Sequence, residues 1–174
     1  MNNDIPTLAD FGWTNFFASQ LDIEEHAATV PARVMAVHRD RLQVAAPNID
    51  TKVLPIAPTG DGEDAATVGD WLLLEPGQMR PSRLLRRKSI FKRRIAGNES
   101  RLQLLAANVD TLFIVSSCNQ DFNLARLERY LALAREAEVT PVIVLTKADL
   151  ADDPGDLAAQ AASLMPGLDR KSVV

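Results

Sequence analysis

Two short apolar runs, Thr111 to Val115 and Pro141 to Leu145, are rich in β-branched residues. Their length and composition predict strands buried on both faces, as in a parallel sheet. Between them Leu124, Leu127, Leu131 and Ala134 recur at helical spacing, with Asn123 positioned to cap the first turn. Strand, helix and strand make a crossover unit from Val109 to Leu150 whose strands end on one edge, and open α/β sheets bind ligands at that edge. The second strand runs straight into Thr146-Lys147-Ala148-Asp149. Downstream, Asp153-Pro154 reads as a helix cap with proline in the first turn. Leu157, Ala161, Leu164 and Met165 then form an apolar face, and Pro166-Gly167 ends the helix.

Upstream the period changes. From Thr29 to Arg94 short strand patterns alternate with breakers: Val30 to His38 and Arg41 to Ala45 flank Arg39-Asp40 as a hairpin, and Thr51 to Ile56 is a third strand interrupted by Pro55. Pro58 to Gly62 is a loop by composition. Val68 to Leu74 is a fourth strand, with a turn at Gly69-Asp70 feeding a buried Trp71, and Arg83 to Phe91 is a fifth. Five short strands without a long helix predict a small closed barrel, of the oligonucleotide-binding or the SH3-like type. Residues 1–28 carry Leu8, Phe11, Trp13, Phe16, Phe17 and Leu21, a short helical arm that packs against the neighbouring domain. The expected organisation is therefore an arm (1–28), a barrel (29–95), a linker (96–102) hinged at Gly97-Asn98, and an incomplete α/β domain (103–174).

Charge sharpens this picture. Residues 80–101 hold nine of the nineteen Lys and Arg and one acid, Glu99, a local +8 in a chain of net −4, so the remainder carries −12. Such asymmetry argues for one local basic surface rather than a protein that coats nucleic acid uniformly. Arg86, Arg87, Lys88, Lys92, Arg93 and Arg94 would attract phosphates, with Arg83 alongside and Phe91 as a stacking surface for a base. The bland alternative is a solvated linker. A lone cysteine, Cys118, rules out an internal disulfide, and Cys118 with His26 and His38 has no metal-ligand spacing, so neither a metal site nor a thiol nucleophile is assigned. No run reaches membrane-spanning length and no basic-then-apolar leader opens the chain, so a cytoplasmic, membrane-free protein is expected.

The tetrapeptide after the second strand carries the most specific chemistry. A carboxylate there accepts two parallel hydrogen bonds from guanine N1 and N2, donors that adenine lacks, and Lys147 can lay its aliphatic stem across the purine. The plain alternative is that Asp149 merely caps the segment after it. A phosphate-binding loop needs glycines before Lys and Ser or Thr, so that backbone N–H groups face the phosphates. The one candidate, Gly167-Leu168-Asp169-Arg170-Lys171-Ser172, lacks the glycine before lysine and sets Asp169 against an anion, which rejects it.

Several segments in order carry a resemblance. Ala106 to Val115, Asp121-Phe122-Asn123, Arg126 to Leu131 and Pro141 to Leu150 resemble the circularly permuted GTPases called ribosome small-subunit-dependent GTPase A. So do Phe11-Gly12-Trp13, Pro31 to Val34, Val68 to Trp71 and Arg86 to Ser89. The resemblance implies an oligonucleotide-binding barrel that contacts 16S rRNA, then a Rossmann-like, P-loop-type GTPase domain whose guanine motif precedes its phosphate loop. It implies late maturation of the 30S subunit as the role, GTP and GDP as ligands, Mg²⁺ in hydrolysis and zinc in a further domain. The family's Asn-Lys-x-Asp falls on Thr146, Lys147, Ala148 and Asp149, with threonine in place of asparagine. No Mg²⁺-binding Asp-x-x-Gly and no zinc ligands follow, so these 174 residues alone are expected to be catalytically inactive. The rival expectation is a non-enzymatic rRNA-docking module in which the α/β part is scaffold.

Overall fold

The computed structural model describes residues 5–59, 62–95 and 101–164, without the side chains of Arg94, Ile95 and Arg101. The expected hinge at Gly97-Asn98, the apolar position Met165, the stop at Pro166-Gly167 and the rejected loop at Gly167 to Ser172 fall outside the described residues. The chain divides into two compact units, Met1–Asn108 and Val109–Val174.

In the first unit β1 (Val30–Val37), β2 (Leu42–Ala46), β3 (Ile49–Val53), β4 (Trp71–Glu75) and β5 (Arg80–Leu84) form an antiparallel sheet of order β3-β2-β1-β4-β5. The hairpin at Arg39-Asp40 is present, closed by His38 N–H donating to the Arg41 carbonyl at 2.8 Å. A second tight turn, with Asn48 at φ 61°, joins β2 to β3. The third strand therefore starts and ends earlier than its pattern suggests, stopping short of Pro55, which has no N–H for a ladder.

Strand β4 is buried on both faces. Leu72 and Leu74 pack with Ala32, Val34, Leu42 and Val44, whereas Trp71 and Leu73 pack with Phe17 and Leu85 on the other side. The arm covers that second face through a single 3₁₀ turn (Ala9–Phe11), α1 (Asn15–Ala18) and α2 (Ile23–Ala28). Leu8, Phe11, Trp13 and Leu21 pack there half-buried, so the arm docks on its own neighbour as expected. Trp13 meets Trp71 edge-on at 4.8 Å, a contact type that adds about 0.5–1.5 kcal/mol beyond the area it buries. Arg33 fastens the arm by donating to the Phe11 carbonyl while it lies over the Trp71 ring.

The fifth predicted strand, Arg83 to Phe91, is two strands. After Leu84 the backbone leaves the ladder: Leu85 turns into the core and Arg87 turns to a buried carboxylate, Asp70. Pairing resumes as β6 (Ile90–Ile95) against β7 (Arg101–Ala107). Residues 101–107, divided by the sequence pattern between linker and α/β domain, thus belong with the first unit, and the division lies after Asn108. Asn108 sits at φ 55° and is fully engaged. Its N–H donates to Ser89 O, its Nδ2 to Gly69 O, its Oδ1 accepts from Lys88 N–H, and its carbonyl accepts from Arg33. Gly69, at φ 88°, could not carry a side chain, because a Cβ there would lie 2.1 Å from the Ala107 carbonyl oxygen.

The second unit is the predicted crossover: β8 (Thr111–Ser117), α3 (Leu124–Glu136), β9 (Thr140–Thr146) and α4 (Pro154–Ser163). The strands are parallel and in register from Thr111 opposite Thr140 to Ser117 opposite Thr146. Asn123 and Asp153 cap the two helices as the sequence suggests, each accepting a backbone N–H three residues on. Leu127, Leu131, Ala134 and Ala161 are buried, and Ile114, Ile143 and Leu145 complete the core. The expectation that both strands are buried on both faces fails for β8, whose Phe113 and Val115 are 65% and 64% exposed. Helices cover one face of this sheet, and among the described residues nothing covers the other side of β8. No described helix is long and apolar enough to cross a membrane.

Candidate functional site

At the carboxyl end of the parallel pair the backbone stays joined one residue beyond the ladder, with Cys118 N–H donating to Thr146 O at 2.8 Å. Thr146 Oγ1 donates to Ser116 O at a long 3.5 Å. Lys147 then takes the left-handed conformation (φ 58°, ψ 39°), uncommon for a residue with a side chain, and opens a single 3₁₀ turn, Ala148–Leu150. That reversal carries Asp149 just past the end of β9. Thr146, Lys147 and Asp149 are all exposed. Asp149 makes no hydrogen bond or ion pair with any described residue, and the cap of α4 is Asp153 instead. The neighbouring strand ends in a turn built on Asn119, whose Oδ1 accepts from Ser117 Oγ at 2.8 Å and from Asp121 N–H at 3.0 Å. An uncommitted carboxylate at a strand end, beside a lysine, can accept a pair of N–H donors from a planar ligand.

The basic run of the first unit is less available than its charge suggests. Arg87 donates Nε and Nη2 to both carboxylate oxygens of Asp70 at 2.8 Å, and its guanidinium also reaches the Glu63 and Ala65 carbonyls. Asp70 is 0% exposed and accepts a further bond from Thr67 N–H, so this fork is structural. Arg83 is held by Glu25 and the Gln20 carbonyl, both at 2.8 Å. Lys92 meets Glu63 at 2.6 Å, and Arg93 donates to Gln103. Arg86 and Lys88 are exposed, Phe91 is half-buried, and the side chain of Arg94 lies outside the described residues.

A second cationic surface escapes sequence reasoning. Arg41 in the connection of the first hairpin, Lys52 on β3 and Arg80 opening β5 are exposed and line one groove of about 290 Å³ with Leu54, Gln78 and Met79. A contiguous groove of about 780 Å³ shares Leu54, Arg80 and Pro81. Arg41 and Lys52 stand outside any basic run and only Arg80 belongs to the basic segment, so the strand order is what assembles the three.

Comparison with known proteins now decides the family. Residues 84–166 match the family model described as RsgA GTPase. Over 161 residues the chain is 52% identical to the small ribosomal subunit biogenesis GTPase RsgA of Mesorhizobium japonicum, covering 91% of this chain and 45% of that protein. The chain belongs to the RsgA GTPase family. A small ribosomal subunit biogenesis GTPase RsgA 2 of Vibrio parahaemolyticus is 47% identical, again over 91% of this chain but 43% of the relative. The chain therefore spans less than half the length of these RsgA relatives. In fold it is similar to the crystal structure of YloQ, a circularly permuted GTPase, with a TM-score of 0.56 at 18% identity over 82% of this chain and 49% of that one. It is also similar to YjeQ from Thermotoga maritima, with a TM-score of 0.53 at 21% identity over 75% and 45%.

Among the described residues no group of three or more His, Cys, Asp or Glu is placed to hold a metal ion.

Proposed function

We propose that this chain serves in biogenesis of the small ribosomal subunit, reading guanine nucleotide at Thr146, Lys147 and Asp149 and contacting rRNA through its first unit. The observation that carries the nucleotide reading is the free carboxylate of Asp149 at the end of a parallel strand. Thr146 spends its hydroxyl on the neighbouring strand and has no amide to steady the purine, so recognition is weak. Hydrolysis is not assigned to these 174 residues, because phosphoryl transfer depends on positioning the γ-phosphate and metal, and no motif here does so.

For RNA, the sheet β1–β5 is read as an oligonucleotide-binding barrel left open between β3 and β5. Such folds bind through the face of strands 2 and 3 and the loops after strands 1 and 4, the same elements that supply Arg41, Lys52 and Met79 to the groove. The groove residues include no aromatic ring, so contact with phosphates of structured RNA is favoured over base stacking. Arg86, Lys88, Lys92 and Arg93 add a second cationic strip, with its role proposed on the same electrostatic ground. That groove owes nothing to the α/β unit, which keeps the non-enzymatic docking module as the second reading.

Equilibrium binding separates the two. The first reading expects GDP to bind more tightly than ADP, with about a tenfold loss on Asp149→Asn, the size of one charge-assisted hydrogen bond. RNA binding with no nucleotide preference in either protein would leave the docking module. Measurable GTP turnover by the purified chain would contradict the claim that it lacks the hydrolytic parts.

A further inference from the structure

The loop after β3 returns to the sheet beside the basic strip, and three contacts hold it there. Thr59 donates its hydroxyl and its N–H to Asp64 at 2.5 and 2.6 Å, and these bonds hold that carboxyl below the usual carboxylate range. Arg87 grips the Glu63 and Ala65 carbonyls while it is locked onto buried Asp70. Thr67 N–H donates to the same Asp70. The backbone at Glu63 and after it is thus held by groups that do not depend on its side chain. That side chain projects to Lys92 on β6, Oε1 to Nζ at 2.6 Å, with the two side chains 54% and 41% exposed.

The two ion pairs of this loop differ in kind. Arg87 and Asp70 make a buried, forked pair, and removing either partner would strand a charge. The contact of Lys92 with Glu63 is exposed, so it contributes little to folding and is screened by salt. An exposed carboxylate held against a lysine occupies the place a phosphate oxygen would take.

We propose that Glu63 is a built-in competitor for nucleic-acid phosphate at Lys92: RNA gains this lysine of the β6 strip only by displacing the carboxylate. The inference rests on the RNA reading above and deepens it. Glu63 lowers affinity for any polyanion and makes the gain from Lys92 conditional on local charge density, favouring closely spaced phosphates over isolated anions.

The test is a double-mutant cycle on the full 174-residue chain, using a fluorescent RNA hairpin of small-subunit rRNA sequence in low salt. Glu63→Gln keeps the backbone carbonyl that Arg87 holds, and an unchanged melting temperature checks that the fold is retained. The expected result is about two- to fivefold tighter binding for Glu63→Gln, weaker binding for Lys92→Gln, and no gain from Glu63→Gln in the Lys92→Gln background. Raising the salt should erase the gain. Unchanged affinity in Glu63→Gln would overturn the proposal, and so would a gain that survives Lys92→Gln, which would reflect net charge alone. Failure of every variant to bind RNA would instead remove the reading on which the proposal stands.

Discussion

Strands β4 and β8 are both short apolar runs, yet they have opposite environments. Trp71 to Leu74 are 0% exposed, because the arm covers one side and residues of β1, β2 and β3 pack against the other. In β8, Ile114 is buried under helices while Phe113 and Val115 on either side of it are about two-thirds exposed. Apolar composition therefore announces a strand, but the number of faces it buries depends on segments elsewhere in the chain. The same contrast governs charge: Arg87 and Arg86 are neighbours in a basic run, one sequestered by Asp70 and one exposed.

Substitutions can break or sharpen that comparison. The largest effect is expected for Gly69→Ala, which forces a side chain into the Ala107 carbonyl at a left-handed position. The expected loss is about 4–5 kcal/mol in denaturant unfolding, the range of severe backbone strain. Tryptophan emission should report it, since Trp13 and Trp71, the only two, lie in the first unit. Asp70→Asn should cost about 3–4 kcal/mol by the same probe, because it leaves the Arg87 guanidinium without its counter-charge. A loss below about 1 kcal/mol would return Arg87 to the pool of cations free to meet RNA. In the second unit, Ile114→Ala should cost about 2–4 kcal/mol by amide exchange. Phe113→Ser, one position away, should cost less than about 1 kcal/mol because most of that ring is already in water. Equal costs at the two positions would mean that both faces of β8 are packed in solution.

What was legible in the sequence was local. The crossover of β8, α3 and β9, the caps at Asn123 and Asp153, and the turn at Thr146 to Asp149 depend on neighbours within a few residues, and periodicity reads such features directly. The merging of β5 and β6 into one strand was an error of range, since the break depends on Arg87 finding Asp70 seventeen residues earlier in the chain. The placement of β7 depends likewise on pairing with β6. Of the residues assigned to RNA, their positive charge was legible but their partners were not: Glu25, Glu63 and Asp70 come from three separate segments. That Arg41 and Lys52 share a groove with Arg80 was not legible for the converse reason, the three being dispersed in sequence and joined by the strand order.

The claim that the carboxylate of Asp149 reads the edge of guanine can be tested residue by residue with backbone amide NMR shifts of the labelled chain, titrated with GDP and with ADP. The account predicts that GDP shifts Ser116 to Asn119 and Thr146 to Ala151, that ADP leaves them nearly unmoved, and that Asp149→Asn abolishes the difference. Equal shifts from both nucleotides, or a guanine preference that survives in Asp149→Asn, would contradict it.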